Sequence, residues 1–234
     1  MEQINISKEH KMTKKSSWDK LKEKSTYHFD NTIVDKKRDV LQELGHIEGD
    51  FTKEVKKIVE DSKPANWETR GFKGEGVFVP KPELEDEEYD LSRVGIDPKV
   101  VITNLAWKLP KRLQAISDAF GLEDCMERIH VQQPGQLWHL HIDKLYKWFP
   151  ENPERVGRYF IALTDWEQGQ FWSYGNYTHT QWRAGEVHTF NWQNLPHSTA
   201  NAGFHPRVTL QLTGIITDKT TAFLKELKKT PLVV

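Results

Sequence analysis

The chain has 234 residues, 29% of them charged, and its 33 Lys and Arg against 34 Asp and Glu leave a formal net charge of -1. That length fits one domain with extensions or at most two small ones, and the balanced charge argues against nucleic acid or any other polyanion as a partner. A single cysteine, Cys125, excludes an intramolecular disulfide and points to a reducing compartment. The polar first 15 residues and the lack of any long apolar run predict a cytoplasmic protein without a membrane partner.

Residues 1–65 are rich in Lys, Glu, Asp and Ser, and Ile33, Val34, Val40, Leu41 and Leu44 recur near one helical face. This predicts a charged helical N-terminal extension, with a helix over 32–44. Gly71, Gly74, Gly76, Pro80 and Pro82, then an acidic run over 83–90, predict irregular surface chain. The run is either a solvated loop or a guide for a basic substrate. Over 109–122, Leu113, Ile116, Ala119 and Phe120 stand at helical spacing, with Pro110 in the first turn and Gly121 near the end. That helix is expected to pack on the back of the strand-rich region that begins at Arg128.

From Arg128 the period changes to two. Strands are predicted at 128–133, 137–141, 157–163, 170–174, 180–182, 187–192, 198–201 and 208–217, separated by Pro134-Gly135, Gly169, Gly175-Asn176 and Ala184-Gly185. About eight short strands in roughly ninety residues predict a mostly β fold with flanking helices, built on a double-stranded β-helix or jelly-roll core. The domain is expected to run over 66–234 with its core strands at 127–217. Phe223, Leu224 and Leu227 predict a short C-terminal helix over 221–229.

The chemistry-bearing residues are His141, Asp143, His197 and Arg207. Two imidazoles and a carboxylate are the ligand set that holds non-haem Fe(II) on one face and leaves the other open. Composition alone supplies roughly 0.6 His-x-Asp tripeptides in such a chain, and His28-Phe29-Asp30 is a second one. His28 lies in the polar extension with no partner histidine, whereas His141-Ile142-Asp143 ends an apolar strand opened by Pro134-Gly135. Side chains at i and i+2 of a strand share a face, so both can reach one ion.

Further along stand Pro196-His197-Ser198-Thr199-Ala200-Asn201, Gly203, and Arg207-Val208-Thr209-Leu210. With Pro134-Gly135-Gln136, Arg158-Tyr159-Phe160-Ile161-Ala162-Leu163 and Trp182-x-x-Gly185-Glu186-Val187, these make residues 133–217 resemble the core of the 2-oxoglutarate and Fe(II)-dependent oxygenases. Within that superfamily they are most similar to the aspartyl/asparaginyl and prolyl hydroxylase type. The resemblance implies a dioxygenase, with His141, Asp143 and His197 as iron ligands and Arg207 as the partner of the distal carboxylate of 2-oxoglutarate, to which a guanidinium offers a two-point fork. It implies that Arg158 lies in the pocket, facing co-substrate or substrate. Phe160 stands where that type has a second histidine, so the substrate need not be shared. Asn201 and Gln132 are further candidates for contact with the ligands or the co-substrate. The implied reaction hydroxylates an unactivated C–H bond of an amino acid, protein side chain or small molecule and releases succinate and CO2, with ascorbate as an optional reductant.

Other readings stand beside this one. His139-Leu140-His141 with His197 suggests a cupin-type metal-dependent isomerase or ligand-binding protein, but Lys144 to Lys147 lack the glutamate that pattern expects and Arg207 then has no role. A barrel that keeps the fold without the chemistry is a third. For His130, His139, His179, His188 and His205 the ordinary expectation is a half-buried, hydrogen-bonded strand histidine. Six of the nine tryptophans lie between Trp138 and Trp192 and serve either as core or as cleft lining. The ordinary expectation for Gln132 and Gln133 is a plain exposed strand residue, and the alternative for Arg207 is a salt-bridged surface residue.

Overall fold

The computed structural model describes residues 40–66, 72–73, 77–78, 97, 99–106, 108–141, 143, 149, 152–175, 177–192 and 195–234. The N-terminal tail with His28-x-Asp30, the segment 32–39 and the acidic run 83–90 lie outside them. In chain order the elements are β1 (Leu41–Glu48), α1 (Thr52–Asp61), β2 (Lys63–Ala65), β3 (Phe72–Lys73), β4 (Val77–Phe78), β5 (Thr103–Ala106), α2 (Lys111–Phe120), β6 (Glu123–Gln132) and β7 (Leu137–His141). Next come β8 (Val156–Ala162), β9 (Gln170–Tyr174), β10 (Tyr177–His179), β11 (Glu186–Phe190), β12 (His197–Asn201), β13 (Arg207–Ile215), α3 (Asp218–Leu227) and β14 (Leu232–Val233).

Two sheets form the jelly roll. The major sheet runs β14-β1-β11-β8-β13-β6-β5-β2 and the minor sheet β10-β9-β12-β7, with β3 and β4 a separate hairpin. Strand alternation gives the major sheet two different buried faces. On β13, Val208, Leu210 and Leu212 join Ile129 and Val131 of β6, Tyr159 and Ile161 of β8, and Leu113, Ile116, Phe120 and Leu227 of the helices in one apolar cluster. The alternate residues Arg207, Thr209, Gln211 and Thr213 are buried too, and they stand opposite Gln132, His130, Arg128 and Met126 of β6. Apolar residues thus fasten the outer face to the helices, and a buried polar face is turned the other way. A second apolar cluster, with Phe160, Trp172, Tyr174, Trp182, Phe190 and Trp192, ties β8 and β11 to β9 of the minor sheet.

The helices obey their local signals. In α2, Leu113, Ile116, Ser117 and Phe120 are buried, Pro110 precedes the first turn and Gly121 ends it at φ +62. In α3 the Thr217 hydroxyl accepts from the Thr220 N–H and the Thr220 hydroxyl accepts from the Thr217 N–H, a reciprocal cap. The C-terminal helix thereby starts three residues earlier than its apolar spacing indicates. No helix among the described residues is long and apolar enough to cross a membrane.

Of the helix expected over 32–44, Val40 is helical, and the expectation is corrected from Leu41 on. Residues 41–48 form a strand paired with β11 and β14, and the register slips between Glu43 and Gly45. This bulge brings Leu44 and Ile47, three apart, into the same apolar cluster. Leu41 and Leu44, expected on one helical face, instead pack against different apolar clusters. The boundary expected at residue 65 falls inside the jelly roll, because β1, α1 and β2 all pack there. The strand expected at 180–182 lies at Tyr177–His179 instead, since a two-residue connection pairs Tyr177 directly with Tyr174.

Candidate metal centre

His141 ends β7 and His197 begins β12, and the two are direct partners across the antiparallel ladder. Their ring centroids are 4.2 Å apart. Asp143, two residues beyond β7, places its Oδ1 at 3.7 Å from His141 Nε2 and its Oδ2 at 3.5 Å from His197 Nε2. One ligand atom from each of the three lies within 4.8 Å of the others, and His141 is only 7% exposed. These separations exceed hydrogen-bond length and leave a gap that an ion bonded at about 2.0–2.2 Å to each atom would fill.

Backbone contacts orient both rings. His141 Nδ1 lies 2.7 Å from the His139 carbonyl oxygen and His197 Nδ1 lies 3.2 Å from that of Leu195. A carbonyl only accepts, so each Nδ1 carries a hydrogen, which leaves Nε2, on the side of Asp143, as the nitrogen free for a metal. Burial lowers His197 from its ordinary value, against the pull of Asp143. Neutral imidazoles anchored through the far nitrogen are what a divalent first-row ion requires.

Burial would raise the Asp143 carboxyl, but Arg158, His197 and His141 overcome it and hold it well below the usual carboxylate range. Arg158 Nη1 donates directly to Asp143 Oδ2, while its Nε donates to the Thr213 hydroxyl at 3.1 Å. The strand arginine expected to meet co-substrate or substrate thus meets the carboxylate of the triad. Thr213 in turn accepts from Gln211, whose Oε1 lies 3.1 Å from His130 Nε2. The carboxylate is therefore braced through Arg158 by the buried polar face of the major sheet.

Arg207, the first residue of β13, is 4% exposed. Its Nη1 donates to the Phe171 carbonyl at 3.0 Å, its Nη2 donates to the Thr199 hydroxyl, and its guanidinium carbon sits 4.4 Å over the Trp172 ring. Among the described residues no carboxylate pairs with it. Burial lowers it to about 9, opposed by Tyr174, so it stays charged at neutral pH. A surface salt bridge is excluded for this residue by its burial and by its neighbours.

Gln132 stands opposite Arg207 in the ladder and grips β12, donating to the Thr199 carbonyl at 3.1 Å and accepting from the Thr199 hydroxyl at 3.3 Å. It holds the residue that touches Arg207. Asn201 lies elsewhere: its Nδ2 donates to the carbonyls of Gln132 and His205, both at 2.8 Å, and its Oδ1 accepts from the Gly203 N–H. It shapes the turn that returns the chain to Arg207, rather than touching a triad ligand.

His139 contributes only its carbonyl. The register slips between His197 and Thr199, so that Thr199 faces Trp138, and Trp138 stacks on His141 at 5.8 Å. His139 is absent from the cluster that its neighbour joins, which removes the His-x-His pair from the cupin-type arrangement. His205 pairs with Glu167 at the surface, 2.8 Å away. Tyr174, Phe190 and His188 were not marked by sequence as parts of this centre. Phe190 approaches His197 edge-on at 4.6 Å, and Tyr174 donates or accepts at 3.0 Å with His188 Nε2. Each sits on the inward phase of a predicted strand, the one signal that could have found them.

No protein-family model matches the chain, and no curated protein does. Among solved structures it is similar to a Pseudomonas putida prolyl-4-hydroxylase at 15% identity, over 80% of this chain and 96% of that one, with a TM-score of 0.47. A predicted oxalate decarboxylase from Thermotoga maritima aligns over 49% of this chain and 81% of its own at 15% identity and a TM-score of 0.32. A cupin 2 conserved barrel domain protein from Salinispora arenicola aligns over 53% and 84% at 11% identity and a TM-score of 0.32.

Proposed function

We propose that this chain is a 2-oxoglutarate and Fe(II)-dependent dioxygenase that hydroxylates a C–H bond of an amino acid, protein side chain or small molecule. The observation that carries the reading is Arg207: a buried guanidinium, charged at neutral pH, with hydroxyl and carbonyl neighbours but no carboxylate among the described residues. A buried charge is costly without a counter-charge, and a ligand carboxylate would supply one. The triad fits the metal: two Nε2 lone pairs and one carboxylate form the donor set suited to Fe(II) with open positions.

When bound, Fe(II) and 2-oxoglutarate supply the oxidising power, through decarboxylation to succinate and CO2 with transfer of one oxygen atom of O2 to the substrate. His141, His197 and Asp143 would hold the ion, and Arg158 keeps Asp143 ionised and oriented. Arg207, steadied by Thr199 and by Trp172, would take the distal carboxylate. Tyr174, Phe190 and Trp138 wall the rings of the triad and keep bulk water from them.

The test is spectroscopic. Anaerobic addition of Fe(II) and 2-oxoglutarate should give the visible charge-transfer band of the pair, lost in Asp143→Ala and in His197→Ala. Arg207→Ala should still bind iron but require at least tenfold more 2-oxoglutarate for half-saturation, the loss of about 1.4 kcal/mol expected when a charge-assisted contact goes. A spectrum unchanged by both additions sinks the reading.

A further inference from the structure

We infer that His179, Glu186 and His188 form a second divalent-metal site inside the barrel, separate from the His141, Asp143 and His197 triad. His179 closes β10, while Glu186 and His188 are i and i+2 on β11 and share a face. One ligand atom from each lies within 4.8 Å of the others, the same closeness as in the first triad. His179 Nε2 is 2.8 Å from Glu186 Oε1, and the imidazoles of His179 and His188 are 5.2 Å apart.

His188 supplies the independent observation. It is 0% exposed, its Nε2 is engaged by the Tyr174 hydroxyl at 3.0 Å, and its Nδ1 is buried with no hydrogen-bond partner. An orphaned ring nitrogen costs about 1–3 kcal/mol, and an ion satisfies it where a hydrogen bond does not. A metal-bound histidine is commonly held through its far nitrogen, which is the place of Tyr174 here. Around tetrahedral or octahedral ions with bonds of about 2.0–2.2 Å, neighbouring ligand atoms lie about 3 Å apart, so the His179–Glu186 contact needs to open by only a few tenths of an ångström. Arg207, which bears on His188, weighs against a cation, and Glu186 weighs for one. Ligation by two nitrogens and one carboxylate selects a borderline first-row ion such as zinc or cobalt rather than calcium or magnesium. The side chain of Glu186 is 21% exposed and leaves a way in.

The probe is Co(II) alone, without any oxo acid, added to the full chain after chelator treatment and counted after desalting. Asp143→Ala/His197→Ala removes the first triad, so the second site is read independently of the oxygenase proposal. Wild type should keep two equivalents and the double variant one, with the d–d absorption of low-coordinate cobalt. Adding either Glu186→Gln or His188→Gln to the double variant should bring the count to zero with the far-ultraviolet dichroism retained. Two substitutions are used because His188 is fully buried and its replacement can cost the fold, whereas Glu186 is partly exposed. One equivalent in wild type and none in the double variant overturns the second site and leaves the first standing. A count that stays at one after Glu186→Gln in the folded double variant also overturns it.

Discussion

Asp143 is pulled two ways. Its Oδ2 accepts from Arg158, and the same oxygen faces His197 at 3.5 Å. An adjacent cation could compete with a metal for the carboxylate, or it could keep the carboxylate charged and aimed. The second effect should win, because Arg158 is itself tied to Thr213 and offers only one of its nitrogens, leaving Oδ1 toward His141. Without the guanidinium, only the two histidines would oppose burial, so the Asp143 carboxyl would rise and a proton would compete better with the ion. Arg158→Gln should therefore weaken Fe(II) or Co(II) affinity about 10–100-fold, the range typical of partners one step removed from the metal, with a larger loss at pH 6 than at pH 8. Competition with a chromogenic chelator measures it. Equal or tighter binding would show Arg158 to be a competitor instead.

Among the elements, the joint between β1 and the loop before β11 leaves no room for a side chain. Gly185 has φ +93; its N–H donates to Ala162 at 2.7 Å and its carbonyl accepts from Ile47 at 2.8 Å. A Cβ there would stand 2.0 Å from the Ile47 carbonyl oxygen. Gly185→Ala combines an unfavourable φ with a backbone collision, so a loss on the order of 2–4 kcal/mol is expected, read as a lower urea midpoint. A midpoint within error of wild type would contradict the register of β1 on β11. The strands nearest the site were legible in sequence because their alternation is regular and their turns carry Gly or Pro: β7, β9, β12 and β13 appear within two residues of their expected ends. That alternation also placed His141, His197 and Arg207 together. What escaped is non-local. β1 is disguised by a bulge, β5 is only four residues long and too short to show a period, and the Arg158–Asp143 contact depends on how β8 passes the end of β7, which no single segment encodes.

At the scale of the whole molecule, the major sheet spends one buried face on apolar packing and the other on polar groups, and the second choice has a cost that depends on pH. His130 lies on that polar face, hydrogen-bonded to Gln211, and burial followed by the charges of Arg128 and Arg158 lowers it to about 3 from an ordinary 6.5. Between those values the unfolded chain binds a proton that the folded chain refuses. The stability held by a neutral His130 is thus fully present above about 6.5 and is lost as pH falls toward 3. His188 and His197 are shifted in the same direction, and Asp143, lowered from 3.8, extends the loss to still more acid pH. Each withheld proton contributes about 1.4 kcal/mol per pH unit, so metal-free protein should lose stability steeply from pH 6.5 to 5. His130→Gln keeps a donor for Gln211 but cannot titrate, and its stability curve should flatten by one proton's worth over that interval. The measurement is urea unfolding at fixed temperature with chelator present, since an ion bound to the native state would add stability of its own. Parallel curves for wild type and variant would mean that His130 takes up its proton in the folded state, and that the buried polar face is open enough to water to hydrate it.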